Sequence, residues 1–166
     1  MIWSKQFDRL DTEIAEWMAR YGVTVLRLAV GIVFLWFGLI KFGPGWSPAA
    51  DLAIRTIDKL TVGILPASVS LMLLAAWESL IGIGLLSGRF LRLTLLLLFL
   101  QMPGTMLPLL FFPTETFVRF PYSPTLEGQY IIKNLVLVSA AIVIGATVRG
   151  GQLSALPRAA DEAGAT

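Results

Sequence analysis

The chain has 166 residues, 56% of them hydrophobic and only 14% charged, and a mean hydropathy of +0.77. Soluble domains carry about 25% charged residues, so this composition excludes an ordinary water-soluble fold and leaves one membrane domain. With no cysteine and no histidine, a disulfide relay, a haem held through those side chains, an iron–sulfur cluster and the usual transition-metal sites are excluded; no acidic cluster has hard-cation spacing, and a net charge of +2 is too dispersed for a nucleic-acid surface.

The first 21 residues do not read as a signal peptide, because Asp8, Asp11, Glu13 and Glu16 stand where an apolar run would follow. Trp3, Phe7, Leu10, Ile14, Trp17 and Tyr21 recur every three or four residues, which predicts an amphipathic helix with an aromatic stripe. It is expected to lie in the headgroup layer or to dock on a soluble partner. Four acids against Lys5, Arg9 and Arg20 rule out a polybasic lipid anchor.

Four apolar spans follow, at about Gly22 to Phe42, Pro66 to Leu86, Phe90 to Phe112 and Tyr130 to Val148. Each approaches the roughly 20 residues that a spanning helix needs. The last is short enough to begin earlier, near Glu127. The expected fold is therefore all-α, a four-helix transmembrane bundle over residues 22–148 with an N-terminal amphipathic interfacial helix over 1–21. Residues 149–166, rich in Ala and Gly, read as a mobile tail. Between the first two spans, Gly43, Pro44, Gly45 and Pro48 stop the helix, and Ala49 to Leu60 predicts a short amphipathic segment. Ser87 and Gly88 form a tight turn, and the prolines at 113, 121 and 124 mark an irregular loop before the fourth span.

The polar residues inside these spans are the candidate site. Glu78 sits within the second, where a carboxylate costs about 2.5–3.5 kcal/mol and normally faces a partner. It either locks helices together or takes part in ligand or proton chemistry. Arg27, Gly31, Phe34, Gly38 and Lys41 share one face of the first span. Depths counted from the span edges put Arg27 and Glu78 roughly 4–5 Å apart, within reach of a long Arg side chain, and predict a buried Arg27–Glu78 pair, with Lys41 snorkelling to the far surface. The third span breaks around Gln101, Pro103, Thr105 and Pro108, a kink whose freed carbonyls Thr105 satisfies or a headgroup or quinone contacts. Lys133 and Asn134 open the fourth span. The candidate quinone, lipid or intramembrane polar site is Arg27, Glu78, Gln101, Lys133 and Asn134. Gly31, Gly38, Gly82, Ala141 and Gly145 are the candidate helix-packing positions. No pattern marks a catalytic residue or a metal site.

Seven cations (Lys5, Arg9, Arg20, Arg89, Arg92, Arg149 and Arg158) fall on one side of the membrane and four (Lys41, Arg55, Lys59 and Arg119) on the other. The excess places both termini in the cytoplasm, as expected for a bacterial inner-membrane protein.

Three segments carry a family resemblance. LRLAVGIVFLWFGLIKF (Leu26 to Phe42), WESLIGIGLLSGRF (Trp77 to Phe90) and GQYIIKNLVLVSAA (Gly128 to Ala141) resemble, in order, the first, second and fourth helices of DoxX-like membrane proteins. The chain looks most similar to their YkgB-type branch. The resemblance implies a four-helix membrane bundle tied to membrane redox chemistry, with Arg27, Lys41, Glu78, Lys133 and Asn134 at the family's polar positions. It implies no catalytic role for them. The extended N-terminal helix lies outside the pattern.

The leading expectation is an accessory integral-membrane subunit of a redox or energy-converting complex, touching quinone or lipid near Arg27 and Glu78. A chain with no thiol or metal ligand cannot store an electron by itself. The alternatives are a stand-alone quinone-linked membrane oxidoreductase and a small transporter. No cofactor is expected to be covalently bound. Partners are lipids and other membrane subunits, not nucleic acid.

Overall fold

The computed structural model describes residues 2–154, with side chains from residue 7 onward. Helix α1 (Ile2–Ile40) is one unbroken rod of 39 residues, about 58 Å long at helical rise. The boundary expected near residue 21, between an amphipathic helix and the first span, is therefore not a break in the backbone. The N-terminal part of α1 leaves the bundle along the axis of the span. The rod ends in tightened turns, Lys41 N–H to the Gly38 carbonyl at 3.2 Å and Phe42 N–H to Leu39 at 3.1 Å. Gly43, Pro44 and Gly45 then make continuation impossible.

Helix α2 (Ala50–Thr61) is the expected short amphipathic segment and packs on α3 (Ala67–Ser87). Helix α3 starts directly after Pro66 and ends at Gly88, whose φ of +68° suits a residue without Cβ. Helix α4 (Leu91–Met106) contains Pro103 and halts at Leu107, and the short α5 (Pro108–Phe111) completes the third crossing. Thr105 Oγ1 donates to the Met102 carbonyl at 2.8 Å beside this break. The loop expected to be irregular holds a one-turn α6 (Pro113–Thr116) and a two-stranded antiparallel hairpin, β1 (Phe117–Arg119) with β2 (Ser123–Pro124). Helix α7 (Leu126–Thr147) begins at Thr125, whose Oγ1 accepts from Gly128 N–H at 3.2 Å. That cap explains the early start of the fourth span.

Among the described residues, four helices are long and apolar enough to cross a membrane: α1, α3, α4 continued by α5, and α7. The protein is a multi-pass membrane bundle in contact with lipid. Helix α1 lies mainly against α3, and α7 rests on α4 and α1. Val30, Phe34, Ile81, Leu85, Leu98 and Ile144 form the buried centre. Among the described residues, the chain ends have no regular structure after Thr147, and the tail expected over 149–166 lies mostly outside them.

Candidate functional site

Small residues set how α1 meets α3. A Cβ on Gly82 would stand 2.5 Å from the Leu35 nitrogen, and one on Gly38 would stand 2.6 Å from Ser79 Oγ. One on Gly31 would approach Leu86 Cγ to 3.0 Å. At Gly82 and Gly38 the crowding atoms include neighbouring backbone, so α1 and α3 approach closely there, whereas Gly31 meets only side-chain atoms. Ala141 is fully buried, whereas a Cβ on Gly145 would meet only Leu95 Cδ1 at 3.5 Å, an ordinary contact. Gly84 was not singled out from the sequence, yet a Cβ there would collide with Thr94 of α4.

This register decides the ion pairing. Lys41 Nζ lies 2.6 Å from Glu78 Oε2 and also donates to the Phe37 carbonyl at 3.0 Å. Gln101 Nε2 donates to Glu78 Oε1 at 3.1 Å. One carboxylate thus joins α1, α3 and α4. The side chains of Lys41 and Glu78 are only 7% and 11% exposed. Glu78 is the twelfth of the 21 residues of α3, about 15 Å from either end.

The predicted Arg27–Glu78 pair is therefore corrected. Arg27 Nη1 donates instead to the carbonyls of Leu85 and Leu86, the latter at 3.3 Å. It satisfies the last turn of α3, where carbonyls lack intrahelical partners and the helix dipole favours a cation. Arg27 and Lys41 are fourteen positions apart, about 21 Å along α1, so one carboxylate cannot serve both. Lys41 does not snorkel to the surface; it is buried.

The remaining candidates lie elsewhere. Lys133 is exposed, its Nζ 5.2 Å from the centre of the Tyr130 ring. Asn134 Nδ2 donates to Thr105 Oγ1 at 3.3 Å and ties α7 to the end of α4. Of the five candidate residues, only Glu78 and Gln101 come together. Two buried atoms in or beside the cluster, Gln101 Oε1 and Ser79 Oγ, have no hydrogen-bond partner among the described residues. They leave an acceptor and a hydroxyl free next to an ion pair.

A second polar assembly sits on the side of the bundle formed by α2 and α6. Arg55 grips Glu115 with both arms, Nη1 to Oε1 at 2.7 Å and Nη2 to Oε2, and its Nε donates to Asp51 Oδ2 at 2.9 Å. Arg55 Cζ lies 4.8 Å and Lys59 Nζ 4.7 Å from the centre of the Phe112 ring. The hydrogen bonds from Arg55 hold the Glu115 carboxyl below the usual range, and the same carboxylate pushes the Arg55 guanidinium up. The Asp51, Arg55 and Lys59 spacing of four was visible in the sequence. Nothing local announced a partner sixty residues away.

The family model for DoxX matches residues 22–112. The chain belongs to the DoxX family. The matched stretch holds α2, α3, α4, α5 and the part of α1 from Gly22 on, hence the whole Lys41, Glu78 and Gln101 cluster. The DoxX segment stops before α7, so the resemblance noted over Gly128 to Ala141 lies outside it. Among curated proteins and among solved structures, none matches the chain.

Proposed function

We propose that this DoxX protein is an accessory integral-membrane subunit of a redox or energy-converting complex in the bacterial inner membrane, with both termini cytoplasmic. The observation that carries this reading is the amphipathic half of α1. Its aromatic stripe, with Phe7 72% and Trp17 56% exposed, has no counterpart in the bundle. A subunit needs such a surface; a self-contained enzyme does not. The Lys41, Glu78 and Gln101 cluster supports the same reading, because its charges neutralise each other and fix three helices. Quinone or lipid contact is proposed at the edge of that cluster.

A specific observation favours a second reading. Gln101 Oε1 and Ser79 Oγ are buried and unmatched, and a quinol hydroxyl or a quinone carbonyl has the complementary chemistry. A quinone would supply the electron-accepting group that the side chains lack. Glu78 would then hold a proton, with Gln101 and Ser79 orienting the head group, in a stand-alone quinone-linked oxidoreductase. A small transporter would use the same intramembrane charges as its path.

The test is purification in a mild detergent from native membranes, paired with a quinone reduction assay on the isolated chain. Stoichiometric partners that are lost when residues 1–19 are deleted, with no turnover by the isolated chain, support the subunit. Robust quinone-dependent turnover, abolished by Glu78→Gln and unaffected by the deletion, would replace it with the enzyme.

A further inference from the structure

The outward face of α1 is apolar along almost its whole length. Phe7, Leu10, Ile14, Trp17 and Tyr21 fall within about 80° of one another around a helix. Val25, Leu28 and Ile32 continue in the same sector. These eight residues are between 37% and 72% exposed. The face that packs on α3, centred on Gly31, Phe34 and Gly38, lies roughly 110° away around the helix. The steps along the stripe are 3, 4, 3, 4, 4, 3 and 4 residues, the spacing of a helix-to-helix seam.

Depth decides what can cover this stripe. Toward its N-terminus, α1 keeps contact with the buried core as far as Val23, which marks the edge of the bundle on that side. Tyr21 then lies about 3 Å, Trp17 about 9 Å and Phe7 about 24 Å beyond that edge along the rod. A headgroup layer adds only about 5–8 Å on each side of the hydrocarbon. Lipid can cover the stripe from Tyr21 to Ile32 but not the stretch from Phe7 to Trp17. A water-soluble partner can cover only the latter. The occupant must carry an apolar helix face through the same boundary at the same depth.

We propose that the occupant is a second copy of this chain, paired through α1 about a twofold axis along the membrane normal. A copy inserted with the same topology presents the same stripe at the same depth, residue by residue. The contact is a parallel seam that starts among the lipids and runs out into water. The three aromatic side chains, at about 200 Å² each and half to three-quarters exposed, offer roughly 350 Å² per copy before the aliphatic residues are added. A standard interface takes about 800 Å² per partner. The proposal rests on the reading that the stripe is a protein contact and names its first partner.

The absence of natural cysteine makes the test direct. Single variants Ile14→Cys and Val25→Cys sit on the stripe, outside and inside the bilayer; Thr12→Cys and Glu16→Cys sit on the opposite, exposed face. After mild oxidation in intact membranes, both stripe variants should cross-link to a band at twice the 18.1 kDa chain mass, at least tenfold more than the two controls. No cross-link at either stripe position, or equal cross-linking at all four, overturns the proposal. So does a spin label on Ile14→Cys that reports acyl-chain contact, since the segment would then lie on the membrane. Stoichiometric foreign subunits without stripe cross-links would defeat the pairing and leave the subunit reading standing. Stripe cross-links in a purified homodimer with no other subunit would support the pairing and defeat membership of a larger complex.

Discussion

Replacing Lys41 with methionine keeps the bulk of the side chain and removes its charge. Glu78, 8% exposed, is then left with Gln101 as its hydrogen-bond donor among the described residues. Removing one partner of a buried pair costs about 3–5 kcal/mol, a fall of two to three and a half decades in the folded ratio at about 1.4 kcal/mol per decade. Glu78→Gln should cost less, about 1–3 kcal/mol, because the amide oxygen still accepts from Lys41 and its NH2 can donate to Gln101 Oε1 once that amide turns over. In the double variant Lys41→Met with Glu78→Gln, no buried charge is left unpaired. The double should therefore be less harmful than the two singles summed, by about 2 kcal/mol. Reversible unfolding in mixed micelles, followed by tryptophan fluorescence, measures all four species. The control pair is Arg27→Met with Glu78→Gln, expected to be additive within about 0.5 kcal/mol because those side chains serve different partners. Additivity in the Lys41 cycle together with coupling in the Arg27 cycle would refute the assignment of the ion pair.

Gly82→Ala should destabilise the bundle by about 1–3 kcal/mol, since its Cβ would stand 2.5 Å from a backbone nitrogen of α1. Gly104→Ala, with nothing within 4 Å of the new carbon, should be neutral or gain up to about 1 kcal/mol of helix propensity in the same assay. The Arg55–Glu115 clasp should open in acid. The folded pKa of Glu115 is depressed, so its contribution is complete above the unfolded pKa and is lost as pH falls through the folded value. Hydrogen exchange of α6 and the hairpin should therefore quicken at low pH, and in Glu115→Gln this pH step should vanish; a step that survives would place the titration elsewhere. Reporter fusions after Gly43, Gly88, Pro121 and Gly151 should read out, in, out, in. Export at Gly151 would reverse the assigned orientation of the C-terminus.

Chain composition alone determined that this is a membrane bundle, because apolar runs near 20 residues have no other stable home and each must close its own backbone hydrogen bonds. The helix stops were equally local. Gly43 to Gly45, Pro66 and Gly88 end or begin helices through their own backbone limits. The packing face Arg27, Gly31, Phe34, Gly38 and Lys41 was legible too, since helical spacing fixes which residues share a side. Only tertiary structure decided what that face meets. Depth counted from span edges assumes that all helices enter the membrane at one level. Close approach at Gly82 and Gly38 instead sets the register of α1 against α3, so Lys41 rather than Arg27 reaches Glu78. Arg55 and Glu115, sixty residues apart, meet for the same reason: their contact is set by how α2 and α6 land on the bundle, and no local pattern encodes it.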